Sequence, residues 1–198
     1  MADTTKPNSL MENYWRRVRE EATKSGLLRA EPDRNVFPVT ESNKYIKSAK
    51  KRFKMVSEGK TILFGRNGFI GGWPGNRGEC TRDNLLYATV LEMLGERKKA
   101  EEVLENTMKT VGFGKNDFIG GCPGSLNEYT EDNLLHAIVL AMVGKKDKAG
   151  EVLENTKAKA GFGVNGFIWN GPEREEQYTM DTLLLIMAEL AVGGVKSW

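Results

Sequence analysis

The chain repeats itself every 49 residues. Phe64 to Gly112 and Phe113 to Gly161 align without a gap, and 29 of the 49 paired positions are identical. A third copy opens at Phe162 as FGVNGFIWNGPEREEQYTMDTLLLIMAELAVGG, and a fainter trace of the unit's second half precedes Phe64 in KSAKKRFKMVSEGKTIL. A unit of this size is one supersecondary element. It cannot bury its apolar face alone, so successive units must stack and share a continuous core.

Each unit reads as three parts. A Gly-rich loop of G-x-N-x-F-I type with a Pro-containing turn comes first. A helix follows, over 81–94 in copy one and 130–143 in copy two, ended by Gly95 or Gly144, since Gly takes the left-handed conformation cheaply. A second helix spans about 98–110 or 146–159, and the short link makes the pair an antiparallel hairpin. The first helix is apolar nearly all round, as in LLHAIVLAMV. The second carries Ala100, Val103, Leu104, Thr107 and Val111 on one stripe with Glu and Lys opposite. Buried helices thus alternate with amphipathic surface helices. The predicted fold is all-α: tandem α/α hairpin repeats of period 49 in a two-layer partial toroid or solenoid. Residues 41–198 form the repeat domain, including a further helix over 41–57 with Tyr45, Ile46, Ala49 and Phe53 on its buried side. Residues 1–40 supply an N-terminal helix with a Ser9–Glu12 capping box and a linker that pack on the array, for about seven helices in all.

The Gly-rich loops all lead from a surface helix into a buried one, so they gather at one end, where a ligand site belongs. The recurring polar residues there are Asn67, Asn116 and Asn165, and Asp83, Asp132 and Asp181. Glu79 and Glu128 match each other, with Gln177 in the third slot. Paired carboxylates suit glycoside chemistry when about 5 to 9.5 Å apart, and Trp73, Trp169, Tyr129 and Tyr178 offer rings for a sugar to stack on. The competing reading makes Thr81, Thr130 and Thr179 N-caps, with the aspartates at the second helical position meeting the helix dipole and Tyr129 and Tyr178 stapled to Leu134 and Leu183. Recurrence in every copy favours that structural role, because a catalytic residue is needed once. In the loops, Gly65, Gly71 and Gly72 admit an anion near the backbone and the asparagines with loop carbonyls admit calcium, but no acid-rich calcium loop is present. The expectation is loops folded over hairpin ends, with Phe69, Phe118 and Phe167 plugging the core.

Cys80 and Cys122 occupy different places in their repeats, and the single histidine, His136, lies in an apolar helix. No metal and no cofactor are expected. Two cysteines are too few for a disulfide scaffold, the first residues lack the pattern of a signal peptide, and no apolar run approaches about 18 residues. A cytoplasmic protein without a membrane span is expected. Hydrophobic residues at 39% and charged residues at 28% exclude bulk disorder. Charge is uneven: residues 1–60 hold 14 Lys+Arg against 8 Asp+Glu, the rest 15 against 19. The helix over 41–57, with Lys44, Lys47, Lys50, Lys51, Arg52 and Lys54, and with Arg16, Arg17 and Arg19 beside it in sequence, offers a phosphate-binding patch. No helix-turn-helix or RNA-binding motif accompanies it.

The motif GFG…FIGG-x-PG…YT-x-DNLL resembles the repeats of the α/α toroid superfamily, which includes prenyltransferase β-type and terpenoid-cyclase repeats and the six-hairpin glycosidases. The resemblance covers residues 64–198. Neither the DxDD acid motif of the cyclases nor the Asp/Cys/His zinc set of the prenyltransferases is present, and the Cys, Cys, His signatures of lanthionine cyclases differ, so the resemblance assigns no reaction. It implies a carbohydrate-binding or carbohydrate-processing protein with its groove at the Gly-rich-loop end. A non-enzymatic assembly module is the alternative, and a nucleic-acid-associated module the third reading. A closed toroid resembles about six hairpins, and this chain supplies about three and a half. The shortened last copy leaves an apolar helix flank uncovered, which points to a homo-oligomer.

Overall fold

A computed structural model describes residues 44–57, 63–72, 75 and 77–194, all within the unit Glu41–Trp198. The helix expected over residues 9–22, the linker to residue 40, and Trp73 lie outside the described residues. The described chain is mostly helical, with α1 (Lys44–Ser57), α2 (Thr81–Met93), α3 (Arg97–Val111), α4 (Thr130–Met142), α5 (Lys146–Ala160) and α6 (Thr179–Gly193). The helix ends follow the glycines. Gly95 and Gly144 take φ of +81° and +90° just past α2 and α4, and Gly194 at +76° closes α6. On α1, Phe53 is half-buried and stacks on Tyr87 at 5.5 Å between ring centroids, while Ala49, expected on the buried side, is exposed.

The Gly-rich segments are more ordered than plain loops, which corrects the all-α expectation. Strands β1 (Gly120–Cys122) and β2 (Ser125–Glu128) pair antiparallel with Gly120 opposite Glu128 and Cys122 opposite Ser125. Equivalent bridges join Phe64 to Ile70, Phe113 to Ile119 and Phe162 to Ile168, and Gly71 to Glu79 and Trp169 to Gln177. Glycine permits the tight pairing at Gly120, where a Cβ would stand 2.6 Å from the Ser125 carbonyl oxygen.

The core is centred on α4, which packs on α2, α5 and α6, while α2 also packs on α3. Every residue from Asp132 to Ala141 is buried. In α3 only Ala100, Leu104, Thr107 and Val111 are buried, and in α5 only Ala149, Leu153, Thr156 and Ala160. That single stripe is the amphipathic pattern read from the sequence. Leu104 and Leu153 on it contribute about 1.5–3 kcal/mol each by burial. Phe69 and Phe118 are fully buried as expected, but Phe167 is 37% exposed. Phe69 packs with Ile119 of the following copy, and Phe118 joins the main core with Ile168 of the copy after it. Among the described residues Phe167 has no later copy to pack on.

A side-chain wiring recurs with the period. Asn84 Oδ1 accepts from the Ile70 N–H at 3.2 Å, and its Nδ2 donates to Thr107 Oγ1 at 2.7 Å; Asn133 does the same with Ile119 at 3.2 Å and Thr156 at 2.8 Å. The Glu79 carboxylate accepts from Asn67 N and Nδ2 at 2.7 and 2.6 Å, and Glu128 from Asn116 N and Nδ2 at 2.8 and 2.7 Å. Asn106 and Asn155 then donate to the carbonyls of Asn67 and Asn116. Consecutive copies are joined by the threonines at the helix starts. The Thr81 hydroxyl donates to the Gly120 carbonyl and the Thr130 hydroxyl to that of Trp169, while Thr130 N–H donates to Asn170 O at 2.9 Å. These bonds satisfy backbone groups that the short hairpins leave unpaired.

Candidate functional site

The joining bonds set the amino ends of α2, α4 and α6 side by side, and equivalent positions converge there. Arg82, Glu131 and Met180 are spaced by 49, as are Leu86, Leu135 and Leu184. All six line one groove of about 700 Å³. Within each helix the two positions lie four residues apart, one turn along the same face. Tyr129 and Tyr178, the residues preceding α4 and α6, line it too, with Asn170, Arg174 and Glu176 from the segment before α6, and Asp181. Its lining mixes leucines with aromatic, acidic and basic side chains, the usual composition of a pocket that orients a ligand by a few polar contacts.

The polar groups are arranged in two sets. Arg82 bridges to Glu131 at 3.3 Å and Asp83 at 3.5 Å. The Arg174 guanidinium lies 4.8 Å from the centroid of the Tyr129 ring. Glu176 Oε2 accepts from Asn170 Nδ2 at 3.1 Å and from the Tyr178 hydroxyl at 3.4 Å. Asn170 Oδ1 and Asp181 Oδ2 are buried and lack a hydrogen-bond partner among the described residues. Burial, and then the negative charge of Glu131, push the Asp181 carboxyl up to about 6.

Asp132 is a second perturbed acid. It is 3% exposed, and burial, then Glu131, push its pKa to about 8, while the Arg82 guanidinium, with a hydrogen bond to the Arg82 backbone, pulls the other way, and Asp83 adds to the rise. Its Oδ1 has no partner among the described residues. Asp132 is therefore mostly a neutral acid at pH 7. Of the three aspartates singled out from the sequence, only Asp181 lines the groove; Asp83 is half-buried, with Oδ2 where a side chain on Gly72 would stand.

The loop asparagines and glutamates lie elsewhere. Asn67 with Glu79, and Asn116 with Glu128, spend their hydrogen bonds on each other, and Asn165 Nδ2 donates to Gln177 Oε1 at 2.8 Å. Trp169 is half-buried, and its ring lies 3.5 Å from where a Cβ on Gly161 would be. None of these lines the groove. Tyr129 and Tyr178 do, so the structure joins them to Asp181 and to residues the sequence reading passed over: Arg82, Glu131, Asn170, Arg174 and Glu176. The missed signal was the 49-residue spacing itself, applied to the second helical position.

The expected threonine caps need correction. The N-cap positions belong to Cys80, Tyr129 and Tyr178, none with a side-chain cap bond. The threonines are the first helical residues, and the aspartates stand third. With tyrosine at the N-cap, the expected staple geometry is absent as well. His136 is a core residue: burial lowers its pKa to about 4, and Nε2 sits 3.2 Å from Met108 Sδ. Among the described residues no group of His, Cys, Asp and Glu is placed to hold a metal ion, and no helix is long and apolar enough to cross a membrane. No family model matches the chain, and no curated protein matches its sequence.

Proposed function

We propose that this chain is an arc of α/α hairpin repeats, similar in plan to the α/α toroid superfamily, that binds a carbohydrate in the groove across α2, α4 and α6. The packing of α4 against both α2 and α6, with α3 and α5 laid on α2 and α4 by one buried stripe each, supports the two-layer arc. One observation carries the ligand class. Two tyrosine rings, two arginines, three carboxylates (Glu131, Glu176 and Asp181) and the Asn170 amide line one cavity. Sugars present apolar ring faces for stacking and dense hydroxyl donors and acceptors for those polar side chains. The test is a binding screen of neutral and acidic oligosaccharides against the whole chain, repeated with Tyr129→Ala and Tyr178→Ala. Binding weakened at least about tenfold by either variant, the loss of roughly one stacked ring, supports the reading. No binding by any oligosaccharide, or binding indifferent to both variants, overturns it.

A second reading, a module that assembles copies of the chain, is favoured by α6 itself. Met180, Leu183, Ile186 and Leu190 are each 40% or more exposed and recur at helical spacing. Their counterparts on α4 at Leu134, Ala137 and Ala141 are buried. A solution mass above one chain that returns to one chain on Leu183→Lys supports it; a monomer at all concentrations removes it.

A further inference from the structure

The repeat register brings the chain's two cysteines to the same junction, and we infer that Cys80 and Cys122 form a redox-active pair that closes into a disulfide between copies one and two. Cys80 is exposed and Cys122 half-buried, and both are free thiols here. The Thr81 hydroxyl, next to Cys80, donates to the carbonyl of Gly120, two residues before Cys122. Cys122 pairs across β1 and β2 with Ser125.

The next junction shows where these side chains point. There Tyr129 stands in the place of Cys80, Gly171 in that of Cys122, and Arg174 in that of Ser125. A Cβ on Gly171 would lie 2.8 Å from the Glu128 carbonyl oxygen and 3.1 Å from Arg174 Cδ, and Arg174 covers the Tyr129 ring. The position of Cys122 thus faces, across the junction, the backbone carbonyl just before the position of Cys80. In the first junction both are thiols. Burial raises the Cys80 thiol, with Asp83, Cys122 and Asp132 adding to the rise and Arg82 opposing it.

The oxidant is a small-molecule disulfide such as oxidised glutathione. The exposed Cys80 thiolate attacks one of its sulfurs and expels a glutathione thiolate. The Cys122 thiolate then attacks the Cys80 sulfur of the mixed disulfide and expels the second. Two electrons pass to glutathione, the two thiol protons end on the released glutathione, and one S–S bond joins the copies. The bridge lies two residues from Arg82 in the groove, and the inference is independent of what the groove binds.

The test equilibrates the whole chain in reduced and oxidised glutathione over a range of ratios, folded and in urea, then alkylates and maps the peptides. The expected product is a monomer lighter by about 2 Da with Cys80 linked to Cys122, half-formed at a ratio at least tenfold more reducing than in urea. Cys80→Ser and Cys122→Ser should each abolish the link and leave a glutathione adduct on the remaining thiol. Separate glutathione adducts on both cysteines of the unmodified chain, cross-linked dimers, or equal ratios folded and unfolded overturn the inference.

Discussion

Replacing Asp132 by asparagine keeps the shape of the side chain and removes a proton-binding site that opposes folding near neutral pH. The folded carboxyl titrates at about 8 against an ordinary 3.8. At pH 7 the unfolded chain ionises it freely and the folded chain does not, and the difference of about three pH units is worth about 4 kcal/mol against folding. Asparagine deletes that contribution. Its oxygen can still accept the Arg82 backbone N–H, but its NH₂ group takes the place of an oxygen with no partner and costs about 1–3 kcal/mol. The net gain is about 1–3 kcal/mol, or a rise in Tm of roughly 3–10 °C. The pH profile is the sharper readout. A raised carboxyl pKa means that the folded state holds the extra proton, so stability falls as pH rises from about 4 to about 8. His136, lowered to about 4, acts oppositely: its contribution is lost as pH falls from 6.5 through 4. The two slopes cancel between pH 4 and 6.5, where Asp181, raised to about 6, adds to the Asp132 direction. Of these three groups Asp132 alone still changes its charge appreciably between pH 6.5 and 8, and it should cost the natural chain about 1.5 kcal/mol there. Urea unfolding followed by circular dichroism across that window is the assay. The natural chain should slope and Asp132→Asn should be flat. A flat natural chain, or equal slopes in both, refutes the reasoning about Glu131, Arg82 and Asp83 around this buried acid.

Glu128→Ala should lose about 2–3 kcal/mol in urea unfolding, because Asn116 N, Asn116 Nδ2 and Phe118 N all donate to that carboxylate. Glu128→Gln should lose under about 1 kcal/mol, since Gln177 already fills that slot in the third copy, bonding Asn165 and the Phe167 carbonyl. Asn133→Ala should cost about 3 kcal/mol in the same assay, leaving the buried Ile119 N–H without its acceptor. Asp117 has φ +62° where the other two copies place Gly68 and Gly166 at +79° and +78°. Asp117→Gly should therefore raise thermal stability by about 0.5–1 kcal/mol, read as a higher Tm.

The sequence discloses what depends on a residue's own chemistry and its period. The apolar run LLHAIVLAMV marks the buried α4, although the equally apolar α6 buries only one stripe, and glycines mark helix ends, because a left-handed turn is a local requirement. It hides what depends on a backbone group contributed from another copy. Thr81 and Thr130 look like caps until the carbonyls of Gly120 and Trp169 are seen to receive their hydroxyls. Asn84 and Asn133 show a different gap: both are buried and tie loop to helix within one copy, through Ile70 and Thr107 and their equivalents. Phe167 matches Phe69 and Phe118 in sequence and differs from them in exposure, because burial here is given by the copy that follows. The groove was legible in part. The tyrosines and Asp181 stood out by type, whereas Arg82 and Glu131, unlike each other and unlike Met180, share only their register.

The central claim is that register-equivalent positions on α2, α4 and α6 make one carbohydrate groove. The most direct measurement is amide chemical-shift mapping of the whole chain during titration with oligosaccharides. The groove predicts saturable shifts at Glu131, Tyr129, Asn170, Tyr178 and Asp181 and silence at the Asn67–Glu79 turn. Absence of shifts up to about 10 mM ligand, or shifts gathered instead on Leu183, Ile186 and Leu190, would contradict it.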